Sequence, residues 1–188
     1  MDIHTIAIPG IIVIQPKVFG DERGYFFESF QEKRYEAAGI KEHFIQDNFS
    51  SSTKGVLRGL HYQLNYPQGK LVTVVKGKVL DVMIDIRVGS PTFGQHYSII
   101  LDGERHNQVY VPPGLAHGFY VLTDDVVFAY KCTDVYHPED EYGVFWNDPT
   151  LGVEWGITDE PKLSTKDQKN PLLKDIPAAH LPKFGVRD

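Results

Sequence analysis

The sequence has little sulfur and no long apolar run. Its 188 residues include one cysteine and two methionines. Cys132 therefore has no internal disulfide partner, and we expect the protein to work in a reducing compartment, the cytoplasm. No apolar run approaches the roughly 20 residues that cross a bilayer, so we expect no membrane association. The apolar N-terminus lacks a basic segment and a small-residue cleavage site, which predicts a strand and not a signal peptide.

Basic charge is also scarce. The 19 Lys and Arg residues stand against 25 Asp and Glu residues, which gives a formal net charge of −6. Nucleic-acid binding through bulk charge is therefore not expected, although a local basic pocket could still hold a phosphorylated small molecule. The length fits one domain, predicted over residues 1–188, with a tail from about 171 to 188 that wraps the surface.

Short β-branched and alternating runs, separated by Gly, Pro, Asn and Asp, make up most of the chain. They predict strands at Leu71–Val75, Val79–Ile86, His96–Leu101, Gln108–Val111, Gly118–Leu122 and Val126–Cys132. Many short strands at this spacing indicate a β-sandwich or barrel. Helical signals are few: a capping box at Ser29–Glu32 predicts a helix over Gln31–Ala38, which Gly39 would end.

The segment LRGLHYQLNYPQGKL places Arg58, His61 and Lys70 close together among apolar residues. A lone histidine near a strand is more often structural than catalytic. Two fixed positive charges would, however, favour the neutral imidazole, which is the form that a general base requires. A second segment, Pro112–Phe119, has two prolines and a glycine that predict a turn before His117 enters a strand. A rigid hairpin with an incidental histidine is the simpler interpretation of it.

Three further side chains each allow a structural and a chemical interpretation. Tyr130 lies in an alternating strand, where it either packs or donates a proton. Tyr136 lies in a loop and is either incidental or stacks on a planar base. Asp167 follows Ser164 by three residues, as in a capping box, but it could instead orient a histidine.

Two polar segments nearer the N-terminus are also candidates. Gly20–Gly24 predicts a hairpin with solvated charges, in which Arg23 could instead clamp a phosphate. Gln46, Asp47 and Asn48 offer amides and a carboxylate that suit hydroxyl groups or the edge of a base.

The segments around His61 and His117 resemble the two motifs of the cupin superfamily, whose fold is a double-sheet jelly roll. Metal-binding cupins carry His-x-His and a downstream Glu in the first motif. This chain has Gln63 in place of the second His and Lys70 in the interval where the Glu is expected. A lysine repels a cation, and two histidines make a poor metal site. We therefore expect no metal.

Within that superfamily the chain resembles the dTDP-4-dehydrorhamnose 3,5-epimerase family over nearly its whole length. The motifs that carry the resemblance are Gln46–Asn48, Leu57–Gln63, Gly69–Lys70, Pro112–Phe119 and Tyr130–Asp134. It implies a mainly β jelly roll with a few short helices, a homodimer with an exchanged N-terminal strand, and no cofactor. The implied reaction inverts C3 and C5 of dTDP-4-dehydro-6-deoxy-D-glucose in dTDP-L-rhamnose synthesis.

The resemblance also implies a role for each matching residue. His61 would be the general base, Asp167 its partner, Tyr130 the acid on the opposite face of the sugar, and Lys70 the cation beside the C4 oxygen. Tyr136 would stack on thymine. The remaining positions implied to bind the nucleotide and sugar are Arg23, Glu28, Gln46, Asp47, Asn48, Arg58, His117, Glu141 and Lys166.

These residue types suit the chemistry. A cation where the enolate oxygen forms can contribute several kcal/mol, and arginines that bind a diphosphate supply remote binding energy. Two other classes of function stay open. One is a related cupin that inverts a single carbon or acts as a 3,4-ketoisomerase. The other is a metal-dependent cupin or a non-catalytic sugar-binding module.

Overall fold

Alternation of apolar and polar residues builds antiparallel sheets, because one face of each strand leaves water. The computed structural model describes residues 1–185; the last three residues of the predicted tail lie outside the described residues. The strands are β1 Asp2–Thr5, β2 Ile12–Gln15, β3 Val18–Asp21, β4 Gly24–Phe27, β5 Gln46–Ser52, β6 Leu57–Gln63, β7 Lys70–Lys76, β8 Lys78–Asp85, β9 His96–Asp102, β10 Gln108–Val111, β11 Leu115–Val121, β12 Val126–Cys132 and β13 Glu141–Gly143.

The strands form two large sheets and one hairpin. The six-stranded sheet has the order β1-β2-β10-β7-β12-β5, and the five-stranded sheet has the order β13-β6-β11-β8-β9. Among the described strands, β3 and β4 pair only with each other. The predicted cupin-type double-sheet jelly roll is confirmed. Within the described residues, no helix is long and apolar enough to span a membrane.

The main core lies between the two sheets. Val72 and Val74 of β7 and Phe128 of β12 pack there against Met83 of β8 and Phe119 of β11. All five side chains are buried. Their removal from water is the main term that holds the sheets together, at about 25 cal/mol per Å² of apolar surface.

Both outer faces carry further layers. The α-helix α1 Glu32–Ala37, which is the only one among residues 1–185, buries Tyr35 against β2 and β10 of the six-stranded sheet. The C-terminal segment buries Leu173, Ile176 and Leu181 on the five-stranded sheet. The described part of the predicted tail is therefore a packed layer of the domain.

The helix starts differently from the prediction. Gln31 is the N-cap, and its Oε1 accepts a hydrogen bond of 2.7 Å from the amide of Arg34. Ser29 lies two residues before this cap, and its carbonyl accepts a hydrogen bond from the hydroxyl of Tyr35 at 2.9 Å. The capping-box prediction was therefore wrong. Gly39 does end the helix, with φ at +105°.

A register shift between β6 and β11 decides which side chains reach the interior. Arg58 pairs with Phe119 and His61 pairs with His117, so three steps on β6 match two on β11. Residues three apart on a regular strand point to opposite faces. The extra residue, a β-bulge, lets Arg58 and His61 line the same cavity.

Two glycines allow this close approach. A Cβ on Gly118 would lie 2.5 Å from the carbonyl oxygen of Arg58, and one on Gly59 would lie 2.5 Å from the Cα of Gly118. Gly59 also has φ at +111°, which L side chains rarely adopt.

We predict that Gly118→Ala lowers the free energy of unfolding by about 1–3 kcal/mol, because the added methyl overpacks the bulge. Denaturant unfolding measures the change. Gly20→Ala is the matched control, since Gly20 also has no positive φ and its Cβ would only meet Gly24 at 3.7 Å. That variant should stay within about 0.5 kcal/mol of wild type. Equal losses in both variants would contradict the steric account of the bulge.

Candidate active site

A cavity of about 420 Å³ is lined by strands of both sheets and by the loops that follow β12 and β13. Ten of the side chains implied by the sequence resemblance line it: Gln46, Asn48, Arg58, His61, Lys70, His117, Tyr130, Tyr136, Glu141 and Asp167.

His61 and Asp167 form a short contact that lines this cavity. His61 Nε2 lies 2.5 Å from Asp167 Oδ1, although the two residues are 106 positions apart in the chain. The Asp167 side chain is only 4% exposed. Burial raises the pKa of Asp167, but hydrogen bonds from His61, Ser164 and the amide of Gly59 outweigh it, so the pKa lies below its usual value. Asp167 is therefore ionised, and its carboxylate accepts a hydrogen bond from His61.

Ser164 and Asp167 hydrogen-bond to each other within a turn, and Asp167 also orients His61, so the structural and the chemical interpretations of this pair are compatible. The Ser164 hydroxyl accepts from the amide of Asp167 at 3.1 Å, as a capping residue does. The turn that follows, Asp167–Lys169, is a short 3-10 helix. The Asp167 carboxylate leaves this turn and reaches His61 instead. The turn thus aims the carboxylate at the histidine.

A second carboxylate faces His61 from the other side of the ring. Glu141 Oε1 lies 3.7 Å from His61 Nδ1. Its Oε2 accepts from the Tyr136 hydroxyl at 3.0 Å and pairs with Lys166. The sequence places the cations Arg58 and Lys70 near His61, and the family resemblance implies Asp167 as its partner. The fold adds Glu141 beside the second nitrogen of the ring, a contact that the sequence did not predict.

Lys70 is a partly buried cation without a counterion. Its ammonium makes no hydrogen bond or salt bridge with any residue in the described range 1–185. Burial lowers the pKa of Lys70, and the fields of Cys132 and Glu141 oppose that change. An unpaired ammonium in such a site is ready to interact with a negative charge that develops on a ligand.

Tyr130 faces the same cavity from β12. Burial is the largest cause of its raised pKa, and nearby Cys132, Glu141 and Tyr136 add to the shift while Arg58 opposes it. The phenol therefore keeps its proton at neutral pH. A protonated hydroxyl can act as a donor to a bound molecule.

Strand β5 sorts its polar residues by face. Gln46, Asn48 and Ser50 line the cavity, whereas Asp47 points to the opposite face and binds Lys131 at 2.9 Å. Neighbouring residues of a strand alternate in this way. The grouping of Asp47 with its two neighbours is therefore corrected. The same alternation could have found Ser50, which sequence reasoning missed.

Arg23 and Glu28 do not line this cavity. Arg23 is 85% exposed on the β3–β4 hairpin and binds Asp21. Glu28 binds Arg34 at 3.0 Å. These two side chains share no contact with the residues around His61 within the described chain.

Gln63 takes the place of the second histidine of metal-binding cupins, and its amide is already engaged. It donates to the carbonyl of Tyr66 at 2.7 Å and accepts from the amide of His137 at 3.0 Å. No three His, Cys, Asp or Glu side chains among the described residues are arranged to hold a metal ion. Gln63 instead anchors the two loops beside the cavity.

Arg58 is oriented from β5. Its Nε and Nη2 both donate to Ser52 Oγ at 3.2 Å. His117 is oriented from β8, because its Nε2 lies 2.9 Å from the fully buried carboxylate of Asp81. Both side chains therefore present a fixed edge to the cavity.

Comparison with known proteins agrees with this geometry. The family model for dTDP-4-dehydrorhamnose 3,5-epimerase matches residues 5–175. The dTDP-4-dehydrorhamnose 3,5-epimerase of Pseudomonas aeruginosa is 48% identical over 176 residues, which is 93% of this chain and 97% of the relative.

Two solved structures are also close. The 3,5-epimerase from Legionella pneumophila, in complex with dTDP-4-keto-L-rhamnose, has a TM-score of 0.95 and 53% identity, and the match covers 98% of this chain and 99% of that one. A 3'-monoepimerase from Streptomyces bikiniensis, in complex with dTDP-quinovose, has a TM-score of 0.89 and 35% identity, with 96% and 93% of the two chains covered. The chain therefore belongs to the dTDP-4-dehydrorhamnose 3,5-epimerase family.

Proposed function

We propose that the protein inverts C3 and C5 of dTDP-4-dehydro-6-deoxy-D-glucose to give dTDP-4-dehydro-L-rhamnose, a step of dTDP-L-rhamnose synthesis. The observation that carries the proposal is the 2.5 Å contact between His61 and Asp167 in a cavity that also holds Lys70 and Tyr130. Family membership supports the same activity. Substrate and product have the same oxidation level, so no redox cofactor is needed.

In the proposed mechanism His61 removes a proton next to the C4 ketone. Asp167 is ionised and accepts from Nε2, so we assign the neutral ring a hydrogen on Nε2 and a lone pair on Nδ1. The Nδ1 lone pair takes the proton, and the electrons of the C–H bond form the enolate. Asp167 then stabilises the imidazolium, as a carboxylate partner does in other acid–base sites.

Lys70 and Tyr130 complete the step. The unpaired ammonium of Lys70 stabilises the negative charge on the C4 oxygen. The Tyr130 hydroxyl, which keeps its proton because its pKa is raised, returns a proton to the carbon from the opposite face. C3 and C5 both flank the ketone, so the same groups can serve both carbons.

The other cavity residues are proposed to bind the nucleotide and sugar. Arg58 and Lys166 supply cations for the diphosphate despite the net charge of −6. Tyr136, half exposed beside Gln46, offers a ring for thymine. Asn48, His117 and Glu141 offer hydrogen-bonding groups to the sugar or base.

A mono-epimerase is the second candidate, because a 3'-monoepimerase has the same fold at a TM-score of 0.89. Incubation of the protein with dTDP-4-dehydro-6-deoxy-D-glucose in D₂O, followed by NMR, distinguishes the two. We predict that deuterium enters at both C3 and C5. His61→Ala should slow exchange by about 10²- to 10⁴-fold while dTDP still binds. Exchange at one carbon would favour the mono-epimerase, and no exchange would exclude both.

Tyr130→Phe separates proton removal from inversion. The variant keeps His61, so we predict that deuterium still enters from the base side. Inverted product should form about 10²-fold or more slowly, because the donor on the opposite face is missing. NMR of the same D₂O reaction reports both quantities. A parallel loss of exchange and inversion would show that Tyr130 is not the acid.

We also propose a homodimer in which Arg23 and Glu28 reach the cavity of the second copy. Neither side chain lines the cavity of its own chain. The β3–β4 hairpin that carries Arg23 is exposed and has aromatic Tyr25 and Phe26 on it, at 61% and 70% exposure. Strand β1 pairs with β2 of the same chain here, so strand exchange stays a prediction.

Mixed dimers test the shared site. Chains with His61→Ala and chains with Arg23→Ala are co-expressed with different tags, and the heterodimer is purified. If Arg23 acts across the dimer, the His61-containing site receives an intact Arg23, and we predict about half of the wild-type kcat/KM. Each homodimer serves as the control. A heterodimer no more active than the Arg23→Ala homodimer would place Arg23 in the site of its own chain.

A further inference from the structure

Double inversion requires one base to act twice. If His61 removes the protons of both C3 and C5, it carries a proton after the first removal. That proton must leave before the second removal can begin. A structure that supports the proposed function therefore needs a path from His61 Nδ1 to solvent.

Asp167 does not provide this path. It contacts Nε2 and is only 4% exposed. Transfer of the Nε2 hydrogen to Asp167 would leave Nδ1 still protonated, so the basic nitrogen would not be restored. Asp167 fixes the tautomer of His61, but it contacts Nε2 and cannot remove the proton from Nδ1.

Glu141 has the geometry that Asp167 lacks. Its Oε1 lies 3.7 Å from His61 Nδ1, and its side chain is 15% exposed. Its Oε2 accepts from the hydroxyl of Tyr136, which is half exposed. Strand β13 holds Glu141 opposite Gln63 of β6, two residues beyond His61 on the same face. The carboxylate thus lies beside the basic nitrogen and also contacts a half-exposed side chain.

The charges around Glu141 suit a transient proton acceptor. Lys166 pairs with Oε2 and places a positive charge beside the carboxylate. The Tyr136 hydroxyl donates to the same oxygen. Burial and Glu141 together raise the pKa of Tyr136, so the phenol stays protonated.

We propose that Glu141 is the proton relay that resets His61 between the two inversions, an inference that rests on the proposed function. The proton that Nδ1 takes from carbon passes to Glu141 Oε1, which leaves neutral His61 and a carboxylic acid. The acid then releases its proton to water or a buffer base. Tyr130 loses one proton to the opposite face of the carbon and regains one from solvent, so protons balance in each inversion.

Glu141→Gln tests the relay, because the amide keeps the size and the acceptor for Tyr136 but has no basic oxygen. We predict that kcat at saturating substrate falls about 10²-fold, whereas thermal unfolding stays close to wild type and any change in KM reports the separate contribution of Glu141 to binding. Adding imidazole or formate at fixed pH and ionic strength should restore turnover in a saturable manner, since a small base can accept the proton in place of Glu141. Glu141→Asp, which keeps a carboxylate, should depend less on buffer.

Lys166→Met is the matched control. It removes the partner of Glu141 but leaves the carboxylate, so it should weaken dTDP binding without any response to buffer. An unchanged kcat in Glu141→Gln would overturn the relay. Weaker binding with no buffer rescue would overturn it as well and leave Glu141 as a binding residue. Wild-type exchange is measured alongside, so failure of the proposed function appears in wild type and failure of the relay only in the variant.

Discussion

The contact between His61 and Asp167 is the constraint on which the rest of the site depends. It joins a strand of the five-stranded sheet to a turn 106 residues later. That turn is held in place because the segment before it pairs with the start of β6, where the Leu57 amide donates to Lys162 at 3.1 Å. The segment after it buries Leu173, Ile176 and Leu181 on the same sheet. The C-terminal layer therefore holds Asp167 beside His61. A buried carboxylate is stable only when it keeps such a hydrogen-bond partner.

The local charge of the cavity differs from the net charge of the chain. The chain carries a net charge of −6, yet Arg58, Lys70 and Lys166 lie at or beside one cavity. Arg58 donates a hydrogen bond to Ser52, and Lys166 forms an ion pair with Glu141. The Lys70 ammonium has no hydrogen-bond or ion-pair partner among residues 1–185. A desolvated cation without a partner is costly in free energy. That cost is offset when a ligand brings negative charge close to the ammonium, which is the reason for proposing Lys70 as the group that stabilises the enolate.

Much of the fold could be predicted from the sequence. Six predicted strands correspond to β7 through β12, because β-branched alternation reports directly on a half-buried sheet. Strand β11 begins at Leu115, earlier than the predicted Gly118, since all its residues are buried on both faces and no alternation marks its start. The N-cap was misassigned because Gln31 caps with a long side chain, which the Ser29–Glu32 pattern obscures. The grouping of Asp47 with Gln46 and Asn48 ignored the alternation of β5.

The sequence by itself determined the class of fold, the family resemblance and the identity of most side chains that line the cavity, because these depend on residue type and local periodicity. Tertiary structure alone decided which of them meet. The bulge at Gly59 and Gly118 turns Arg58 and His61 to one side. The turn at Ser164 sends Asp167 to His61, and β13 brings Glu141 to the other nitrogen of the ring. These contacts join residues that lie from 59 positions apart, for Gly59 and Gly118, to 106 positions apart, for His61 and Asp167. Only the packing of the sheets and outer layers brings such distant residues together.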